Sequence, residues 1–169
     1  VEHLIELGHR KIGYVDGPPH NVLSRERQAA VRNSLKDANI PLEEAWVVPG
    51  DFSLDAGVRA ARLILELPDR PTAVCCANDE TAFGLISEFH KSGFKVPEQL
   101  SVVGFDDIDI CRRYIPPLTT IRQPRASLGT EVADLLVTRI GVDELHPEVQ
   151  IKILPVELLI RESTAPPAH

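Results

Sequence analysis

Residues 72–107, TAVCCANDETAFGLISEFHKSGFKVPEQLSVVGFDD, contain one complete strand–helix–strand unit. Thr72–Cys76 is a short continuous apolar run, the pattern of a strand buried on both faces. Asp79 stands where it can cap a helix that runs through about Ser92, and Gly93 supplies the glycine that ends it. Leu100–Phe105 is the second apolar strand, and it stops abruptly at Asp106-Asp107. Strands joined through a helix lie parallel, and the crossover between them is right-handed.

The same rhythm extends upstream with a period of about thirty residues. Residues 1–9, VEHLIELGH, read as a short amphipathic helix, and Lys11–Val15 (KIGYV) as a strand ending in the turn Asp16-Gly17-Pro18-Pro19. A helix over Ser24–Ala38 places Ala30, Val31, Leu35 and Ala38 at helical spacing. Ala45–Val48 is the next strand, and a helix follows over Asp55–Leu67, capped by Ser53 or Asp55. The pattern predicts a doubly wound, mainly parallel, Rossmann-like α/β sheet with helices on both faces.

After Pro116-Pro117 the rhythm breaks. Leu118–Arg122 is extended, and Pro124 opens a helix over Arg125–Ile140 with Leu128, Val132, Leu135 and Leu136 on one stripe. Extended pieces at Ile151–Leu154 and Val156–Ile160 flank Pro155, and the tail 163–169 is expected to fray.

A hydrophobic fraction of 43% and a charged fraction of 25% place the chain among ordinary globular proteins. Its 169 residues suffice for one domain, or one lobe and part of another. No run of 18 or more apolar residues occurs, so no membrane span is expected. Residues 1–9 do not read as a signal peptide, and the chain holds no methionine, so a natural start upstream of Val1 is expected. The net charge of −7 argues against nucleic-acid binding by this segment, because DNA contacts require clustered Lys and Arg. Cys75 and Cys76 are neighbours whose side chains point to opposite faces of a strand, and Cys111 stands alone. No metal-type spacing occurs, and inert thiols in a reducing cytoplasm are expected. No cofactor or metal is expected.

In an open parallel sheet, ligands bind beyond the carboxyl ends of the strands. Those ends carry Asp16, with Leu23 and Arg27 on the helix that follows; then Asp51 and Phe52; Asn78 and Asp79; and Asp106 and Asp107. Carboxylates and amides exchange hydrogen bonds with vicinal hydroxyls, and an aromatic ring covers the C–H face of a sugar. Each residue also has a structural reading: Asp79 as a helix cap, Asn78 as a turn former, Phe52 as core, Arg27 as helix surface. No dinucleotide loop, phosphate loop or nucleophile elbow occurs, and the six histidines are read mostly as solvated. Magnesium chemistry at Asp106 and Asp107 is the enzymatic alternative, and it needs a third acid.

The phrases HLIELGHRKIGYVDGPP, RPTAVCCANDETAFG, VPEQLSVVGFDDI, PPLTTIRQP and LPVELLIREST, in this order, closely resemble the effector-binding domain of LacI/GalR-type repressors, which is related to periplasmic sugar-binding proteins. The resemblance implies that residues 1–117 form the C-terminal lobe and that 118–150 form a crossover and a helix of a mostly absent N-terminal lobe. It implies a return strand at 151–162. It also implies a cytoplasmic homodimer that senses a sugar-like effector and reads DNA through an N-terminal helix-turn-helix outside this sequence. The effector contacts implied by position are Arg27, Phe52, Asn78, Asp106 and the crossover residue Gln123. Leu23 stands where sugar-binding members commonly carry a small hydroxyl residue, four positions before the arginine. Implied dimer contacts lie on Glu80–Lys91 and Cys111–Ile115, with Phe83, Tyr114 and Ile115 as the apolar candidates. A periplasmic sugar-binding protein of a transport system is the competing reading.

Overall fold

The structure is a computed structural model that describes residues 1–140 and 151–168. His146, His169 and the 141–150 part of the expected crossover lie outside the described residues. Strands β1 (Ile12–Val15), β2 (Val47–Val48), β3 (Ala73–Cys76), β4 (Ser101–Asp106), β5 (Thr119–Arg122) and β6 (Glu157–Leu159) form one sheet in the order β2-β1-β3-β4-β5-β6. The first five strands run parallel, and β6 pairs antiparallel with β5. Helices α1 (Glu2–Glu6), α2 (Val22–Asp37), α3 (Leu54–Glu66), α4 (Asp79–Lys91) and α5 (Arg125–Arg139) complete the chain. This is the doubly wound, mainly parallel α/β architecture expected from the alternation.

The pleat sorts the core into two layers. Val15, Val74, Cys76 and Val102 pack with Ala60, Ile64, Leu85 and Phe89 of α3 and α4. Ile12, Tyr14, Ala73, Cys75 and Val103 pack on the other face with Leu4 of α1 and Val31 and Leu35 of α2. Cys75 and Cys76 therefore do face opposite ways, both buried and unpaired. Helices α3 and α4 meet through glycines: a Cβ on Gly57 would stand 2.0 Å from the Thr81 carbonyl oxygen, and one on Gly84 would stand 1.9 Å from that of Leu54. A side chain at either position would drive the helices apart.

Local chemistry moves several boundaries. Helix α2 begins before Ser24 because the Asn21 side chain accepts from the backbone N–H groups of Leu23 and Ser24. Strand β2 is short because Glu44–Trp46 form a 3-10 turn, pinned where the Trp46 indole donates to the Asp69 carbonyl. Asn78, not Asp79, caps α4, with its Oδ1 accepting from Thr81 N at 3.0 Å. Residues 151–154 form no strand.

The tail, expected to fray, is instead anchored through residue 165 at the amino end of the sheet. Ser163 is buried and bridges two strands: its hydroxyl donates to the Val102 carbonyl at 2.6 Å and accepts from Thr119 N at 2.8 Å. The Ala165 carbonyl accepts from the His9 ring at 2.8 Å and from the Ser101 hydroxyl at 3.0 Å. Because that carbonyl can only accept, His9 Nε2 carries the proton, and Nδ1 accepts from the Thr72 hydroxyl at 2.9 Å. His9 is 1% exposed, against the expectation of a solvated ring, and burial lowers its pKa so that it stays neutral. Helix α5 buries none of its residues, and Leu128, Val132 and Leu136 of its stripe are all exposed.

Candidate ligand-binding cleft

From β1 the chain turns outward to β2 on one side, and β3 follows on the other, so the sheet order reverses between β1 and β3. A crevice at such a reversal is where open α/β sheets take ligands. Arg27 reaches into it from the N-terminal half of α2. Its Nη1 donates to the Ala77 carbonyl at the end of β3, at 2.6 Å. The guanidinium carbon lies 3.7 Å from the centroid of the Phe105 ring and 5.9 Å from that of Phe52. Two ring faces and one hydrogen bond hold the cation, and a guanidinium has five N–H donors, more than the one bond to Ala77 uses.

Asp106 ends β4 opposite Arg27, with Arg27 Nη2 3.9 Å from Asp106 Oδ1. The same oxygen accepts from Gln123 Nε2 at 2.5 Å. Burial pushes the Asp106 carboxyl above its ordinary pKa, opposed by the Gln123 hydrogen bond and the Arg27 charge. Asp16, at the end of β1, accepts from Gln28 Nε2 at 2.6 Å, and burial raises its carboxyl likewise. Phe52 is held at φ 68, in the left-handed region, with its carbonyl accepting from Asn78 Nδ2 at 2.8 Å. Asn78 thus caps α4 with one end of its amide and positions the aromatic loop with the other. A groove of about 450 Å³ opens at Arg27, Ala77 and Phe105 and continues over Tyr14 and Cys75 toward α1.

Contacts link Arg27, Phe52, Asn78, Asp106 and Gln123 at the carboxyl ends of the strands; of the five only Arg27 lines the groove, and the Asn78 amide is spent on Thr81 N and the Phe52 carbonyl. Leu23 is 55% exposed, one helical turn before Arg27. Asp79 is a correction. It is 0% exposed, with Oδ1 accepting from the Thr120 hydroxyl and Oδ2 from Ile108 N and the Cys111 thiol. Its carboxylate is consumed by the protein and does not reach a ligand. Asp107 also turns away, accepting from Arg122 Nε at 2.8 Å and Arg161 Nη2 at 2.6 Å. The two adjacent acids therefore do not present their oxygens to one cation.

Sequence reasoning overlooked Phe105 and Gln28. Phe105 passed as a core strand residue, although its place immediately before the acidic pair puts it at the rim; Gln28 carried no signal beyond its neighbour Arg27. Among the residues considered for a partner surface, Phe83 is a second correction. At 4% exposure it belongs to the core, with its ring 4.4 Å from that of Tyr114. The Tyr114 hydroxyl donates to the Phe83 carbonyl, and Ile115 alone of the three stands out, 88% exposed.

A family model described as periplasmic binding protein-like domain matches residues 1–164. The transcriptional repressor PurR of Photobacterium profundum is 38% identical over 163 residues, which are 96% of this chain and 48% of that protein. A LacI family transcriptional regulator of Enterococcus faecium, solved with bound ribose, is 38% identical at a TM-score of 0.84, covering 97% of this chain and 60% of that one. The lac repressor dimer bound to operator and the anti-inducer ONPF is 33% identical at a TM-score of 0.86, covering 97% of this chain and 56% of that one. The chain thus spans about half the length of the curated relatives it matches.

Proposed function

The chain belongs to the periplasmic-binding-protein-like family of effector domains carried by LacI-type regulators, and on that premise we propose that it is the ligand-sensing half of a bacterial transcriptional repressor. The observation that carries the reading is the crevice itself. A guanidinium lies over the Phe105 ring and faces the Asp106 carboxylate, with the Gln123 amide bonded to that carboxylate. Such a set of donors and acceptors, beside the Phe52 ring, suits a neutral, polyhydroxylated effector of sugar or nucleoside size. Gln123 lies just past β5, where the chain leaves the sheet toward α5. A ligand that binds Arg27, Asp106 and Gln123 together favours one placement of that exit over others, and so shifts an equilibrium between two arrangements of the parent protein.

In this reading the parent works in the cytoplasm as a homodimer. DNA is bound by a helix-turn-helix outside these residues, since a segment of net charge −7 is unsuited to phosphate contacts. A transport role is disfavoured, because the relatives of this chain are repressors. The test is calorimetric titration of the parent regulator with a panel of pentoses, hexoses, disaccharides and nucleosides, followed by operator binding with the ligand that binds. The expected result is one ligand that binds through Arg27 and changes operator affinity. A ligand whose binding survives Arg27→Ala unchanged would overturn the site, and an operator affinity that no bound ligand alters would overturn the function.

A further inference from the structure

Two consecutive carboxylates at the end of β4 point in different directions and hold different things. Asp106 faces the crevice and accepts from Gln123. Asp107 is 7% exposed and holds the two strands at the edge of the sheet. Its Oδ2 accepts from Arg122 Nε on β5, the strand by which the chain leaves toward α5. Its Oδ1 accepts from Arg161 Nη2, two residues past β6, the strand by which the chain returns. The backbone carbonyl of Asp107 also accepts from Arg125 Nη2 at 3.1 Å, at the first residue of α5.

Arg161 is itself locked: Nη1 donates to the Leu118 carbonyl at 2.6 Å, and its backbone N donates to the Thr119 hydroxyl at 2.9 Å. The carboxyl stays ionised. Burial disfavours its charge, but the hydrogen bonds from Arg161 and Arg122 outweigh burial and hold its pKa below the ordinary value. The backbone records the constraint, since Asp106 and Asp107 sit at φ 122 and φ 52, conformations that persist only where surrounding contacts over-determine them.

We infer that Asp107 is a positioning residue, a bolt that fastens the exit strand β5 and the return strand β6 to the end of β4 so that the crevice groups Asp106 and Gln123 move as one body with those two strands. Neighbouring rungs do this work: Arg122 bonds Asp107 while the next residue, Gln123, bonds Asp106. The bolt is a property of the chain alone; only its meaning for signalling rests on the effector reading above.

The experiment is backbone amide hydrogen exchange, with amide NMR spectra, on the full 169-residue chain and its Asp107→Asn and Arg122→Gln variants. Loss of charge-assisted bonds in Asp107→Asn is expected to speed exchange at the paired positions 120–122 and 157–159 by about tenfold or more, and at β1 and β3 by less than about twofold. The Gln123 side-chain amide resonances are expected to shift, although Asp107 does not touch that group. Arg122→Gln removes one arm from a half-exposed site and is expected to give the same pattern at about threefold, which decides the matter should Asp107→Asn not fold. Exchange unchanged at β5 and β6, exchange raised equally in every strand, or unmoved Gln123 resonances in a folded variant would each overturn the inference. No ligand enters, so failure here leaves the effector reading standing, and failure to find an effector leaves this result intact.

Discussion

Beneath the first residues of β1, β3 and β4, the buried side chains of His9 and Ser101 and the half-buried Thr72 and Ala165 exchange hydrogen bonds of 2.8–3.2 Å. Beyond the last residues of the same strands stand Asp16, Arg27 and Asp106, charged, half-buried and only partly satisfied by the protein. The lower groups are neutral and bond to one another, and they are joined there by the tail of the chain. The upper groups carry charge and strained backbone, and two of their carboxyls are pushed up by burial. One sheet thus spends one end on stability and keeps the other for binding. The division can be broken or sharpened experimentally, because it predicts that substitutions at the two ends affect different observables.

The largest effect is expected from His9→Ala. It removes one of the partners of the Ser101 and Thr72 hydroxyls and of the Ala165 carbonyl, which keep the Ser101–Ala165 and Thr72–Lys11 bonds, and it opens a cavity under the sheet. A loss of about 3 kcal/mol in unfolding free energy follows from cavity and hydrogen-bond costs together, measured by urea denaturation. Ligand affinity of the folded variant should be unchanged. A loss below about 1 kcal/mol would mean that the amino end does not hold the sheet.

Arg27→Ala should do the reverse. Removing the bidentate-capable cation is expected to weaken effector binding on the order of 10- to 100-fold, about 1.4 to 2.8 kcal/mol, with stability changed by less than about 1 kcal/mol. Phe105→Leu retains the cation and removes the ring 3.7 Å beneath it, with an expected loss of about threefold to tenfold. Calorimetry and denaturation on the same samples check both halves. A large stability loss in Arg27→Ala would erase the distinction between the two ends.

How far the sequence could be read follows the same division. The alternation of apolar strands with capped helices was sufficient for the sheet, for the pleat that parts Cys75 from Cys76, and for the strand ends that supply Arg27, Phe52, Asn78 and Asp106. Periodicity reports which face a residue takes and says little of what a polar side chain bonds. Asp79 and Asp106 are both acids at strand ends, and only the fold turns one toward Thr120 and the other toward Gln123. Phe83 likewise could not be told from a surface aromatic until Tyr114 was laid over it. The proline-rich composition of the tail suggests fraying, whereas Ser163 is held by backbone groups of Val102 and Thr119, and Ala165 by the Ser101 hydroxyl and the His9 imidazole, all from distant positions in the chain.

The pH response sharpens the comparison further. His9 has an ordinary pKa of 6.5 when unfolded and a lower one when buried. Its contribution is fully present above that unfolded value and is lost as pH falls through it, because the unfolded chain takes up the proton first. The carboxyls of Asp16 and Asp106 have the opposite sign. Raised in the folded state, they bind protons more tightly there and favour folding as pH falls toward and below their folded values. Melting temperature followed from about pH 7.5 to about pH 5 should therefore fall in the parent and fall less in His9→Gln. Equal slopes in the two proteins would show that His9 is not buried in its neutral form.

The smallest effect is expected at the lip of the crevice. Leu23 is 55% exposed, and the bond that matters for the helix start, from its backbone N to Asn21 Oδ1, does not involve the leucine side chain. Leu23→Ser should change stability by less than about 0.5 kcal/mol, since serine is well tolerated in a first helical turn and little burial is lost. Positions 23 and 27 share a helix face, so a hydroxyl there adds a hydrogen-bonding group beside the Arg27 donors. For an effector with hydroxyls within reach, one further hydrogen bond should tighten binding by about threefold. For an effector that lays an apolar edge on the leucine, the same substitution should weaken binding by a similar factor. The sign of this small change, read by calorimetry on a variant of unaltered stability, reports the chemistry of the ligand's outer edge.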